Sequence, residues 1–274
     1  MIHKIINKCK EEIEWAQANI DEMNEKEGVF MSTKIEYVNE TWNPITGCSP
    51  VSEGCKNCYA RRMANRLRGR FGYPEDEPFR VTFHPDRLKQ PLKWKKPRLI
   101  FISSMGDLFH DNVKNHLEWP LSIFKVTRLA NQHIYLILTK RIQNVVEYLR
   151  HPLSFQFGNN IWLGVTAENQ KRADGRIPIL LQIPAAVRFV SVEPCLSKIN
   201  LTPYLHCGIG WVVIGAESGP KKRYFNPKWA ERIISQCEEA KIPVFYKQDS
   251  NQKMPMVNGK IYAQFPGSIN KTNG

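Results

Sequence analysis

Ile161-Trp-Leu-Gly-Val-Thr-Ala-Glu-Asn169 is a short apolar run that turns polar at its end, and a stretch with helical character over 169–181 follows it. A near-continuous apolar run of this length suits a strand buried on both faces. From about residue 98 the same unit recurs. The other runs are Leu99–Ser103, His133–Leu138, Val187–Val192, Trp211–Ile214 and Pro243–Tyr246, and further helices are predicted over 115–131, 142–150 and 227–240. The last is well marked: Asn226 can cap it, Pro227 suits its first turn, and Trp229, Ile233 and Cys237 share a face. Strands alternating with helices predict an α/β fold with parallel strands and right-handed crossovers, closed partly or fully as a βα barrel.

The strand ends carry the functional expectation. They read Ser103-Ser-Met-Gly-Asp107, Thr139-Lys-Arg141, Thr166-Ala-Glu-Asn169, Ser191-Val-Glu-Pro194, Gly215-Ala-Glu-Ser-Gly219 and Lys247-Gln-Asp249. Ligands in parallel α/β folds bind at the carboxyl ends of the strands. Polar loops alone explain one or two such ends better than six.

Working outward to the N-terminal side, Gly47-Cys-Ser-Pro-Val-Ser-Glu-Gly-Cys-Lys-Asn-Cys-Tyr-Ala60 holds three of the seven cysteines in a C-x6-C-x2-C spacing. An odd cysteine count argues against a disulfide framework. Closely spaced thiolates suit zinc or an iron–sulfur cluster, and Gly47, Pro50 and Gly54 suit a wrapped loop. Structural zinc normally takes four protein ligands. Here no fourth cysteine is near, and His84 is the nearest alternative.

The 274-residue chain carries a net charge of +13. Its sequence pI is about 9.4. That balance favours an anionic partner such as nucleic acid. Arg61, Arg62, Arg66, Arg68 and Arg70 follow the cysteine loop, and Lys93, Lys95, Lys96 and Arg98 bracket Trp94. Basic side chains interleaved with aromatics suit phosphates and stacked bases; a solvated basic face is the plainer reading. No long apolar stretch and no signal-peptide core is present, so a cytoplasmic protein without a membrane span is expected. Residues 1–30 read as an amphipathic helical extension, with Met31 opening the main domain over 31–274.

A three-cysteine loop ahead of βα units resembles the radical S-adenosylmethionine enzymes. The wider text is similar to a phage- and prophage-associated group of three-cysteine proteins proposed to be radical enzymes. The matching stretches are Thr41-Trp-Asn-Pro-Ile-Thr-Gly-Cys48, Cys55-Lys-Asn-Cys-Tyr-Ala-Arg61, Ser104-Met-Gly-Asp-Leu-Phe109, Leu138-Thr-Lys-Arg141, Trp162-Leu-Gly-Val-Thr-Ala-Glu-Asn-Gln170, Ser191-Val-Glu-Pro194 and Gly215-Ala-Glu-Ser-Gly-Pro220. The usual radical motif is C-x3-C-x2-C with an aromatic before the third cysteine. This chain has three more residues in the first gap, and Asn57 at the aromatic position.

The resemblance implies a barrel of the radical S-adenosylmethionine type. It further implies a [4Fe–4S] cluster on Cys48, Cys55 and Cys58, S-adenosylmethionine on the open iron, and an external electron donor. It places Ser103, Ser104, Asp107, Lys140, Thr166, Glu168 and Asn169 around S-adenosylmethionine, with Asp107 accepting from its ammonium group. Glu193 and Glu217 would face the substrate. Cys195 would return a hydrogen atom to a product radical, as in photoproduct-repairing relatives. For each non-cysteine residue a capping or salt-bridge role is the plainer reading, and for Cys195 a buried small hydrophobe. The substrate expected is a nucleobase or nucleotide. The alternative is a zinc- or cluster-stabilised nucleic-acid-binding protein without catalysis.

Overall fold

A computed structural model describes Thr33, residues 35–154 and residues 156–267. The helix expected over 1–30 lies outside them. The chain divides after Ile161 into two compact units, and each is an α/β arrangement with parallel strands.

The first unit contains β1 (Glu40–Trp42), β2 (Ile45–Thr46), α1 (Tyr59–Arg66), β3 (Thr82–Phe83), β4 (Leu99–Ile102), α2 (Glu118–Leu129), β5 (Ile134–Thr139) and α3 (Ile142–Arg150). Strand β4 lies between β1 and β5, parallel to both. Its four residues are all buried, as the unbroken Leu-Ile-Phe-Ile run requires. β1 was not foreseen, because Asn39-Glu-Thr reads as polar loop. Its one strong apolar anchor is Trp42, which is fully buried, lies 6.0 Å from the Tyr135 ring and donates Nε1–H to the Arg87 carbonyl at 2.9 Å. Glu40 is neutralised by Arg98 at 2.8 Å. Strands β2 and β3 pair antiparallel, and the cysteine loop leaves from the end of β2.

The second unit contains β6 (Ile161–Thr166), whose residues from Trp162 belong here, α4 (Gln170–Leu180), β7 (Val187–Val192), β8 (Trp211–Gly215), α5 (Pro227–Ala240), β9 (Val244–Gln248) and a small hairpin, β10 (Met256–Val257) with β11 (Lys260–Ile261). Strands β6 to β9 are parallel and neighbour one another in chain order. On one face Trp211 is a hub of ring contacts, meeting Trp162, Phe189 and Phe245, with Phe265 stacked on it. Helix α5 begins and ends as its sequence predicts. Asn226 Oδ1 accepts from the Lys228 N–H at 3.0 Å, and Ile233 and Cys237 are buried. The six predicted strands and four predicted helices are all present, with ends shifted by at most three residues. No helix among the described residues is long and apolar enough to cross a membrane.

Gly164 is the tight point of the aromatic face, because a Cβ there would lie 2.4 Å from the Phe189 ring. Gly175, inside α4, has open space around it. Gly164→Ala is expected to lower the unfolding free energy by about 1–3 kcal/mol through overpacking. Gly175→Ala is expected to raise it by about 0.5–1 kcal/mol through helix propensity. Urea denaturation of both variants checks the pair.

Candidate functional site

The cysteine loop in the first unit is rooted in backbone. The Gly47 N–H donates to the Met105 carbonyl at 2.9 Å and the Cys48 N–H to the Phe79 carbonyl at 3.2 Å. Gly47 has φ +86°, and a Cβ on it would lie 2.1 Å from the Arg80 carbonyl oxygen, so glycine is required. The loop then runs through a 3-10 turn, Glu53–Cys55, and Cys58 stands at the N-cap of α1. Cys48, Cys55 and Cys58 are all half-buried free thiols.

Arg141, at the start of α3, organises what lies beside the loop. Its side chain is 5% exposed. Nη1 donates to Cys48 Sγ at 3.3 Å and reaches Asp107 Oδ2 at 3.5 Å; Nε donates to Asp111 at 3.2 Å. Nη2 donates to the Ser49 carbonyl and hydroxyl oxygens at 3.0 and 2.9 Å. Burial and then the Asp107 charge push the Cys48 thiol up to about 11, with Arg141 pulling the other way. At Cys55 burial also opposes ionisation. Hydrogen bonds from the Val51 and Ser52 backbone and the nearby Lys140 ammonium outweigh it, and the pKa is lowered.

Asp107 is buried and occupied. Its carboxylate accepts from the Phe109 N–H at 3.0 Å, the Thr139 hydroxyl at 2.8 Å and the Lys140 N–H at 3.3 Å. These contacts are of the capping kind. Ser103 is buried at φ +55° with its hydroxyl unpartnered. The Ser104 hydroxyl donates to Asn43 Oδ1 at 3.2 Å, and the Tyr59 hydroxyl donates to the Ser104 carbonyl.

The structure adds residues that the sequence reading passed over. His110 Nδ1 accepts from the Asn112 N–H at 3.1 Å, and its Nε2 accepts from the Ser49 N–H at 3.2 Å and lies 2.8 Å from Ser49 Oγ. Asn144 donates to the Phe109 carbonyl and to Asp111, both at 2.8 Å. Behind them a pocket of about 230 Å³ is lined by Phe109, Val113, Leu117, Tyr148 and other residues of the same unit. The signal was the polar triplet Asp107…His110-Asp111 just beyond β4. His84, considered as a fourth metal ligand, instead bonds Thr46 Oγ1 through Nε2 at 2.8 Å.

In the second unit Glu168 is fully buried. Its Oε2 accepts from Arg176 Nη1 at 2.7 Å, and the same nitrogen donates to the Thr166 carbonyl at 2.7 Å. Glu168 Oε1 and the hydroxyl of Ser191 are buried without a partner. Asn169 caps α4, accepting from the Arg172 N–H at 3.0 Å. Glu193 accepts from Lys247 Nζ at 2.6 Å. Glu217 accepts from the Arg223 N–H at 2.9 Å and from its guanidinium. Cys195 is 1% exposed, and burial pushes its thiol up to about 12.

Among the basic residues, Arg61, Arg66, Arg68 and Arg70 are exposed and Arg62 half-buried. Arg62 and Arg66 lie one turn apart on α1, as expected. Lys93, Lys95 and Lys96 are exposed. Trp94 between them is not a free stacking platform, because Arg98 covers its ring at 5.8 Å and His133 meets it edge-on.

A family model described as "Protein of unknown function (DUF5131)" matches residues 32–264. The chain belongs to this family. The matched span holds the cysteine loop, every strand end and the basic segment. Neither the curated proteins nor the solved structures gave a match.

The donor set of this DUF5131 member fits a thiophilic group in chemistry: three soft thiols on one loop, free of disulfides, beside two cationic side chains. Among the described residues no group of three His, Cys, Asp or Glu side chains is gathered closely enough to hold a metal ion.

Two measurements check the site as built. Arg141→Ala strands the buried Asp107 carboxylate, so urea denaturation is expected to show a loss of about 3–5 kcal/mol. Arg141→Lys is expected to recover little of it, since one ammonium cannot reproduce the guanidinium fork. His84 is 4% exposed, and burial with the Arg87 cation lowers its pKa to about 4. The unfolded chain takes up that proton near 6.5, so the stabilisation is present above pH 6.5 and is lost as pH falls towards 4. The loss is about 3 kcal/mol. Denaturation curves across that range should lose this slope in His84→Gln.

Proposed function

We propose that this protein is a radical S-adenosylmethionine enzyme, built on a βα barrel of that type, which modifies or repairs a base in nucleic acid or a nucleotide. The observation that carries the reading is the glycine-rooted loop with three free thiols, flanked by Lys140 and Arg141 at the end of a parallel strand. Cys48, Cys55 and Cys58 would ligate a [4Fe–4S] cluster. Bound there with S-adenosylmethionine, it would supply one-electron cleavage of the sulfonium and a carbon-centred radical.

The chain's own residues would then bind, orient and shield. Arg141 holds Cys48 in place and, with Lys140, would offset the negative charge of a thiolate-bound cluster. The unpartnered Ser103 hydroxyl, just past β4, is open to a polar ligand atom. In the second unit Glu168 Oε1 and the Ser191 hydroxyl are buried and unpartnered at their strand ends, and each can take an O–H or N–H from a ligand. Lys247 keeps the Glu193 carboxylate charge-balanced. The basic surplus draws in a polyanion.

Anaerobic purification, reconstitution with iron and sulfide, reduction and addition of S-adenosylmethionine test the proposal. The expected outcome is 5′-deoxyadenosine by chromatography, abolished in Cys55→Ala. Stoichiometric zinc, no bound iron and no product would overturn it and leave a zinc-stabilised binding protein.

A further inference from the structure

Phe71 is 73% exposed and has φ +53°, a left-handed conformation that bulky residues avoid. The chain on both sides is fixed. The Arg70 N–H donates to the Leu67 carbonyl at 2.9 Å, the Tyr73 N–H to the Arg70 carbonyl at 3.0 Å and the Gly69 N–H to the Tyr73 carbonyl at 3.1 Å. Arg87 Nη2 donates to the Phe71 carbonyl itself at 2.5 Å. Tyr73 is buried beneath the Arg87 guanidinium, and Gly72 is packed against His84 with no room for a Cβ. The backbone is therefore held while one apolar ring is turned out to solvent.

The surroundings of that ring say what it meets. Arg66, Arg68 and Arg70 are exposed beside it in sequence. Residues 59–98 hold twelve basic against four acidic side chains, a surplus of eight out of the chain's thirteen. An apolar protein groove does not suit so charged a rim. A lipid surface would need more apolar area than one ring beside an arginine-rich, eight-residue helix. A polyanion that also offers π-faces suits both features.

We infer that Phe71 is a stacking platform for an unpaired base, set in an arginine-lined track for single-stranded nucleic acid. With the backbone held before binding, only the side-chain torsions of Phe71 lose freedom when a base lands on it. This deepens the nucleic-acid part of the proposed function, but it needs neither a cluster nor S-adenosylmethionine.

The test is anisotropy of fluorescein-labelled oligo-dT against the full-length protein over a range of salt concentrations. Phe71→Ala is expected to weaken binding about tenfold or more at every salt concentration, with the slope of log K against log salt unchanged. Phe71→Trp should restore it. Arg66→Gln should instead flatten the slope by about 0.7. Circular dichroism matching wild type keeps a folding defect out of the comparison. Wild-type affinity in Phe71→Ala overturns the inference, as does absence of binding at low salt, or equal Phe71 dependence on duplex. Phe71-dependent binding to phosphatidylglycerol vesicles without binding to oligo-dT overturns it too. If 5′-deoxyadenosine forms but oligo-dT does not bind, this inference fails alone; if oligo-dT binds in a Phe71-dependent way but no 5′-deoxyadenosine forms, the radical reading fails alone.

Discussion

A single buried guanidinium sets the terms for the first unit. Arg141 meets two carboxylates, one hydroxyl, one carbonyl and one thiol, from the turn after β4 and from the cysteine loop. A buried cation is tolerable only when its donors are satisfied in this way, and a carboxylate as enclosed as Asp107 is tolerable only with such a partner. The two requirements are met by one contact set. The first cysteine of the loop is held by that set, so its position is tied to the end of β5 as well as to its own backbone.

Much of this fold was legible because apolar runs in parallel sheets leave a plain trace. Val187–Val192 was read to the residue, and so was the helix opened by Asn226 and Pro227. β1 escaped because a three-residue strand can rest on one tryptophan and keep a glutamate half-buried beside Arg98. The hairpin of β10 and β11 escaped for a similar reason: Met256, Lys260 and Ile261 are exposed, so no apolar run marks it.

The candidate site was legible as residue types at set spacings and less so in its wiring. The cysteines and strand-end polar residues stand out by spacing. What each polar group is bonded to depends on neighbours distant in sequence, and here the plainer readings recur: Asn169 caps, Asp107 is saturated, Glu217 is held by Arg223 six residues on. Ser49 and Asn144 could not be singled out, since nothing local marks a serine that receives an arginine 92 residues away. Phe71 lacked a signal for the opposite reason. Aromatic residues are normally buried, and its exposure follows from the left-handed turn and from Arg87, not from its own neighbours in sequence.

The stem beneath the cysteine loop has a consequence for how the loop can vary. β2 and β3 pair side by side, and Gly47 is wedged between the Met105 and Arg80 backbones with no space to yield. The excursion therefore leaves a fixed socket, and its contour length is uncoupled from the sheet below. Closure entropy rises only logarithmically with length, so three extra residues between the first two cysteines cost only about 0.5 kcal/mol. The socket can thus carry loops of different reach while the strands keep their register, which makes the span between Cys48 and Cys55 the freely adjustable dimension of an otherwise stiff foundation.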